Sequence, residues 1–158
     1  MEATMDVLLL SEQFIQDYPH EQYPEIMYKW GRPYACLLIP TKYGYYLCLP
    51  FRSSISRANG YFFKNTCRSQ KSRSGLDYEK MLLIKDVCYL DRNTSAIVDR
   101  DEYKEAITNL PKIAGAAVKY VETYIAHMKG EKILHPREYD RKYRYSTLPY
   151  FHDIMELT

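Results

Sequence analysis

The chain has 158 residues, a length that favours one domain. Its 22 basic and 20 acidic side chains nearly balance, so the protein as a whole is not strongly cationic. No apolar run approaches the roughly 18 residues needed to span a bilayer. The first residues are acidic and contain only four consecutive apolar side chains, at residues 7–10. We therefore expect no signal peptide, no membrane partner and a cytoplasmic location.

The first elements are short. Residues 7–10 predict a buried strand, and Ser11 has the character of an N-cap for a short helix that ends before Pro19. Residues 18–33 contain three prolines and a glycine, which favours irregular structure.

Two apolar runs, at residues 34–39 and 45–49, flank a turn that contains Pro40 and Gly44, and this pattern predicts a β-hairpin. Residues 65–75 are polar, basic and rich in serine, so we expect a mobile loop that becomes ordered on a partner. Further short strands are expected at residues 61–63, 81–84, 87–90 and 96–98.

The second half is helical in pattern. Asp99 and Glu102 have the spacing of a capping box, which predicts a helix over residues 99–110. A second helix is expected over residues 112–129, with a proline in its first turn and a glycine after its end. Residues 136–157 form a tail rich in Tyr and Arg with a final helical patch. The fold class expected from these elements is α+β, with the long helices in the C-terminal half.

Charge is segregated along the chain. Residues 26–76 contain nine Lys or Arg and no Asp or Glu, whereas residues 1–25 contain six carboxylates and no Lys or Arg. A surface rich in cations and free of carboxylates suits a polyphosphate partner. The 17 tyrosines, against 5 Phe and 1 Trp, also suit contact with exposed bases. The alternative interpretations are a solvated basic loop and ordinary strand packing.

The four Cys and four His lack metal-ligand spacing, so we expect reduced thiols, no metal site and no cofactor. The basic tract has no carboxylate pair for a two-metal nuclease. Its Arg, Lys, Ser and Tyr side chains suffice for RNA cleavage by the RNA's own 2′-hydroxyl. In that reaction the protein need only align the attack and stabilise the phosphorane.

Three stretches carry a family resemblance: PFRSSIS at residues 50–56, YFFKNT at 61–66 and RSGLDYEKMLLIKD at 73–86. With them, residues 5 to about 130 resemble the toxins of type III toxin–antitoxin systems. The resemblance is closest to the CptN/TenpN branch, with ToxN and AbiQ more distant.

The resemblance implies a compact, strongly curved antiparallel sheet, akin to the barrel of MazF-like toxins, elaborated by helices. It implies a metal-independent endoribonuclease that leaves 2′,3′-cyclic phosphates on cellular mRNA. It also implies a repetitive antitoxin RNA that the toxin processes and that holds it inactive, in a closed protein–RNA hetero-oligomer.

In ToxN-like members a Pro-x-Thr-Ser-x-Lys stretch carries active-site hydroxyls and a lysine. The matching stretch here begins at Pro50 and keeps the serine at Ser53. Arg52 stands at the threonine position and Ile55 at the lysine position. We therefore expect Arg52, Ser53 and Lys64 to form the catalytic centre. Ser53 would orient a phosphate oxygen, and Lys64 would protonate the leaving 5′-oxygen.

The expected RNA contacts are hydroxyl, cationic and tyrosine side chains, namely Ser54, Arg57, Arg68, Lys71, Arg73, Lys80, Tyr28, Tyr61 and Tyr78. The alternatives are an ion pair between Arg52 and a helix carboxylate, a solvated Lys80, and a turn-forming Asp77 rather than a general base. For the whole chain, the alternative is a non-catalytic RNA-binding module. A small-molecule-binding barrel is disfavoured because its pocket would be apolar.

Overall fold

The computed structural model describes residues 6–26, 28, 34–91 and 98–157. Within these ranges the chain is an α+β protein with an antiparallel sheet of seven strands and four α-helices. The strands are β1 Asp6–Leu10, β2 Ala35–Pro40, β3 Tyr46–Arg52, β4 Gly60–Phe62, β5 Gly75–Asp77, β6 Leu82–Ile84 and β7 Leu90–Asp91. The helices are α1 Glu12–Asp17, α2 Arg100–Thr108, α3 Leu110–Met128 and α4 Pro136–Tyr143.

Strand β3 is the centre of the sheet. It pairs with β2 along one edge, which confirms the predicted hairpin. Along its other edge it pairs first with β6, through residues 46–48, and then with β5, through Phe51 and Arg52. Leu49 and Pro50 lie between the two paired segments, and Pro50 has no N–H to donate to a ladder. The chain that joins β5 to β6, residues 78–81, therefore leaves the sheet beside the middle of β3.

The sheet is an open path among the described strands. Its order is β4-β5-β3-β2-β1-β7, with β6 attached to β3 beside that path. The antiparallel sheet and the α+β class are confirmed, whereas closure into a barrel remains a prediction.

Helix α3 covers the core with one face. Its buried side chains belong to the same apolar cluster as the central strands, and they are Ile113, Ala117, Tyr120, Val121 and Tyr124. Four of them, Ile113, Ala117, Val121 and Tyr124, recur at helical spacing in the sequence, which predicts most of this face. Met128, which has the same spacing, is 43% exposed because it lies at the last residue of the helix. Gly130 follows with a positive φ of 74°, as the predicted helix stop requires.

Two other short predictions are confirmed. Strand β1 forms where expected, and the Ser11 hydroxyl caps α1 by accepting a hydrogen bond from the Phe14 N–H at 3.4 Å. The strand predicted at residues 96–98 falls mainly on residues 96 and 97, which lie outside the described part of the chain.

Two predictions of local structure are wrong, the strand at residues 87–90 and the capping box. Residues 87–90 are not one strand, because the Asp86 side chain accepts from the Cys88 N–H and holds a 3-10 turn at Val87–Tyr89. Residues 65–75 contain a 3-10 turn at Arg68–Gln70 and reach β5 at Gly75, and their ordering on a partner stays a prediction. Asp99 and Glu102 make no capping box: the Asp99 side chain caps nothing, and Glu102 binds Arg68 instead.

No helix in the described ranges is both long and apolar enough to cross a membrane.

Gly75 marks a close approach between the backbones of β4 and β5. A Cβ atom at this position would lie 1.9 Å from the Tyr61 carbonyl oxygen, so β4 and β5 must separate to accept any side chain. We expect Gly75→Ala to lower the free energy of unfolding by about 3 kcal/mol, as severe overpacking does. The measurement is urea denaturation. Gly115→Ala is the control, because a Cβ there meets nothing within 4 Å and should stabilise α3 by about 0.5–1 kcal/mol. Equal stability of the two variants would contradict the close approach.

Candidate functional site

Three charged residues are buried where the chain leaves β5 and enters the connection to β6. Asp77 is 2% exposed, Glu79 1% and Lys80 7%. Charged side chains are almost never buried to this degree unless they are paired. Each of the three has a partner of opposite sign from a distant part of the sequence.

Asp77 binds Arg52. The register pairs Arg52 with Gly75, two residues before Asp77, so the side chains of Arg52 and Asp77 lie on the same face of adjacent strands. Arg52 Nη1 donates to Asp77 Oδ2. The other carboxylate oxygen, Oδ1, accepts the Glu79 N–H at 3.0 Å. The pair is thereby fixed by the sheet itself.

Glu79 binds Arg57. Arg57 Nε lies 2.7 and 2.9 Å from the two carboxylate oxygens of Glu79, and the hydrogen bond raises the pKa of Arg57, so it remains a cation. Arg57 Nη2 donates to the carbonyl oxygens of Asp140 and Arg141, at 3.3 and 2.9 Å. These carbonyls belong to the last turn of α4, where unpaired acceptors favour a cation. The Arg57 guanidinium carbon also lies 4.7 Å from the centre of the Tyr145 ring.

Lys80 binds two residues that are distant in sequence, Glu25 and Tyr145. Its ammonium nitrogen donates to Glu25 Oε1 and to the Tyr145 carbonyl oxygen, each at 2.7 Å. An ammonium has three N–H donors, and the described residues accept two of them.

These groups meet at a cavity of about 250 Å³. The residues around it come from the end of β3 and the loop after it, from residues 77–80, and from the two distant partners of Lys80. They are Glu25, Arg52, Ser54, Ile55, Ser56, Arg57, Asp77, Glu79, Lys80 and Tyr145. Three cations face three carboxylates, so the formal charge of the lining residues sums to zero.

Ser54 has an unusual backbone. Its φ is 54°, in the left-handed region that side chains other than Gly, Asn and Asp seldom adopt. The following residue, Ile55, is buried and donates its N–H to the Arg73 carbonyl oxygen at 2.9 Å. Strain of this kind is retained where the surrounding structure holds it, and it clusters at functional sites.

The structure brings together some of the predicted residues. Arg52, predicted to be catalytic, lines the cavity with three predicted RNA contacts, Ser54, Arg57 and Lys80. Two other predicted catalytic residues are not among the lining residues of this cavity: Ser53 is half-buried, and Lys64 is exposed.

Lys64 lies instead beside α2. Its backbone N–H donates to Glu105, and the Glu105 carboxylate also accepts the Asn65 N–H and the Tyr61 hydroxyl. Arg68 in the same stretch makes two 2.8 Å hydrogen bonds to Glu102, whose pKa is raised by burial.

The tract that is free of acids in sequence is therefore not free of acids in space. Carboxylates from residues 77–105 reach Arg52, Arg57 and Arg68. Two other predicted RNA contacts, Arg73 and Lys71, have different surroundings. The Arg73 guanidinium carbon lies 3.7 Å from the centre of the Phe62 ring, and the Lys71 side chain is exposed.

The predicted stacking tyrosines are partly engaged in the fold. Tyr78 is buried, and burial raises its pKa to about 12. The pKa of Tyr61 is also raised to about 12, by burial and by its hydrogen bond to Glu105. Tyr28 donates its hydroxyl proton to the Tyr18 carbonyl oxygen at 3.0 Å. Tyr61 and Tyr78 therefore stay protonated at neutral pH and can act as donors there, but not as bases.

Sequence reasoning missed the acidic partners Glu79 and Glu25, and it missed Tyr145. A signal for Glu79 was present: three of the four residues 77–80 are charged, immediately before the apolar run of β6. No comparable sequence pattern marks Glu25 or Tyr145. Their contacts with Lys80 join residues that are 55 and 65 positions apart in the chain.

Within the described residues, no group of three or more His, Cys, Asp or Glu side chains has an arrangement that could hold a metal ion. Comparisons of the chain with protein-family models, with curated proteins and with solved structures find no match.

The Glu79–Arg57 pair should be important for stability. Glu79→Ala leaves Arg57 and Asn59 without their buried acceptor, so we expect the free energy of unfolding to fall by about 3 kcal/mol. Glu138→Ala is the matched control, because it removes only the exposed pair with Lys142, worth less than about 0.5 kcal/mol. Urea denaturation of both variants measures the difference. A Glu79→Ala protein as stable as the control would mean that Glu79 does not anchor the cavity.

Proposed function

We propose that this protein is an endoribonuclease toxin of a type III toxin–antitoxin system, acting through the 2′-hydroxyl of its RNA substrate. The observation that carries the proposal is the cavity that Arg52, Ser54 and Lys80 line together, since all three belong to stretches that resemble the family. Arg, Lys and Ser side chains are those that in-line attack on a phosphodiester requires from a protein.

In the proposed reaction the 2′-hydroxyl gives its proton to water as its oxygen attacks the adjacent phosphorus. The bond from phosphorus to the 5′-oxygen breaks, which gives a 2′,3′-cyclic phosphate and a 5′-hydroxyl. Arg52 and Lys80 stabilise the charge that grows on the phosphorane, and the third Lys80 proton is available to the departing 5′-oxygen. Ser54 donates to a phosphate oxygen and orients the group. We therefore assign to Lys80 the role that the sequence analysis gave to Lys64, protonation of the leaving 5′-oxygen, because Lys80 lines the cavity and Lys64 does not.

The ion pairs support this arrangement. Arg52 and Lys80 are held by Asp77 and Glu25, so their positions are fixed before RNA arrives. Preorganised donors of this kind need no reorganisation at the moment of reaction, and each is typically worth about 3 kcal/mol of transition-state stabilisation. The sheet beneath Arg52 provides the rigid support that such placement needs.

A non-catalytic RNA-binding module remains the second candidate. One observation favours it: each of the three cavity cations is already paired with a carboxylate. Catalysis of cleavage uses an available acid or base, whereas a module that only binds RNA needs none in this cavity. Such a module would hold RNA and leave it whole.

The wider family expectations belong to the same proposal. They are the cytoplasmic location, cleavage of cellular mRNA, processing of a repetitive antitoxin RNA, the closed protein–RNA assembly and the curvature of the sheet toward a MazF-like barrel. Their support is the resemblance of residues 50–56, 61–66 and 73–86 to that family.

Matched pairs of variants test the site. We expect Lys80→Met and Ser54→Ala to lower the cleavage rate of a short RNA by roughly a hundredfold, because each removes a donor to the phosphorane. Lys64→Met and Ser53→Ala should cleave within a few-fold of the parent. The readout is single-turnover cleavage, with circular dichroism to confirm that each variant is folded. If Lys64→Met and Ser53→Ala lose activity while Lys80→Met keeps it, the catalytic centre lies beside α2 instead.

The chemistry has its own test. In the presence of a chelator, cleavage should continue and the products should end in a 2′,3′-cyclic phosphate, since the nucleophile belongs to the RNA. An RNA with a 2′-O-methyl group at the cut position should bind and remain whole. Cleavage of that methylated RNA would refute the mechanism. Binding without cleavage of either RNA would favour the non-catalytic module.

A further inference from the structure

Two further cavities lie next to the cavity of about 250 Å³ that Arg52 and Lys80 line, which we call the inner cavity. A second cavity, of about 470 Å³, shares Ser56 and Arg57 with the first. A third, of about 580 Å³, shares Glu138 and Arg141 with the second. Because each shares lining residues with the next, the three are neighbours in a row from Arg52 to the start of α4. We call the second and third cavities together the α4 groove.

The α4 groove differs in charge from the inner cavity. Its lining includes four Lys or Arg side chains and two carboxylates, a formal sum of +2 without His135, whereas the inner cavity sums to zero. Arg137 and Arg141 are exposed, and the structure gives neither guanidinium an ion pair within the described ranges. Lys142 makes a 3.4 Å contact to Glu138, an exposed pair of low strength.

The dimensions suit a short length of single-stranded nucleic acid. Helix α4 has eight residues and so spans about 12 Å, the length of roughly three stacked nucleotides. Cations without fixed partners bind phosphates by releasing counterions, with little dependence on base sequence. The inner cavity, with its cations paired, is poorly suited to supply that affinity.

We infer that the α4 groove is a binding track for the single strand that flanks the reacting phosphodiester, in which Arg137, Arg141 and Lys142 contact successive phosphates. The inference rests on the proposed function for the position of the cut, but not for the binding itself. Affinity then comes mainly from α4, and catalysis comes from the inner cavity.

Arg57 joins the two parts. Its guanidinium binds Glu79, which lines the inner cavity, and the carbonyls of Asp140 and Arg141 at the end of α4. Asn59 donates to the same Arg141 carbonyl at 2.8 Å and to Glu79 at 3.1 Å. The track is therefore held in a fixed position relative to the reacting group.

The test uses a triple variant, Arg137→Gln, Arg141→Gln and Lys142→Gln, in the full chain. The probes are an RNA octamer, blocked by a 2′-O-methyl group at the cut position, and a dinucleotide that reaches only the inner cavity. We expect the octamer to bind roughly tenfold more weakly or worse, and the slope of log affinity against log salt to become shallower by about 2, as three lost contacts to a single strand predict. Cleavage of the dinucleotide should stay within a few-fold of the parent.

The matched control removes three exposed lysines on other helices, through Lys104→Gln, Lys112→Gln and Lys119→Gln. It changes the net charge equally and should leave octamer affinity within about twofold. Unchanged octamer binding in the α4 variant, or an equal loss in the control, overturns the track while leaving the cleavage proposal intact. Octamer binding that depends on α4 in a protein that cuts no RNA keeps the track and overturns the cleavage. If the parent neither binds the octamer nor cuts the dinucleotide, both proposals fail.

Discussion

The burial of Asp77 and Glu79 is the constraint on which the site depends. An ion removed from water costs several kcal/mol even after relaxation, and a partner of opposite charge offsets that cost only in good geometry. Arg52 and Arg57 supply that geometry from the end of β3 and the loop after it. The charge segregation along the chain thus has a partial structural explanation: three cations of residues 26–76, Arg52, Arg57 and Arg68, pair with carboxylates of residues 77–105. At these three positions, what resembled a free basic surface is one half of a set of ion pairs.

This pairing shapes what the cavity can bind. A cavity whose formal charges cancel attracts a phosphodiester monoanion weakly, but its donors still strengthen their contacts as negative charge grows on the phosphorane. Interactions that are stronger in the transition state than in the ground state are the ones that accelerate a reaction. Under the proposed function, the neutral inner cavity is therefore suited to catalysis rather than to affinity. Arg52 and Lys80 also lose most of their hydration during folding, so RNA binding does not have to offset the free-energy cost of removing that water.

The sequence predicts what depends on local pattern and misses what depends on distant contacts. The hairpin of β2 and β3, the Ser11 cap and most of the buried face of α3 follow from alternation, capping and helical spacing. Strand β5 is only three residues long, and no local sequence pattern predicts that the backbone at Gly75 lies so close to β4. The expected capping box fails because Glu102 gains more from a buried pair with Arg68 than from the Asp99 N–H.

Arg52 and Lys80 were identified as functional candidates from charge and motif. Their partners Asp77 and Glu25 lie 25 and 55 positions away, beyond the reach of any local pattern.

The placement of Arg57 links folding to the use of the site. One guanidinium satisfies a buried carboxylate and also the carbonyl oxygens at the negative end of α4, where a cation is favourable for the helix dipole. Helix α4 therefore cannot shift relative to the inner cavity without loosening Glu79, which is buried and lines that cavity. Under the proposed function, a strand that binds along α4 would find the reacting position already in register, because the same ion pair sets both. The distance between binding surface and reacting group is then a property of the fold and not of the RNA.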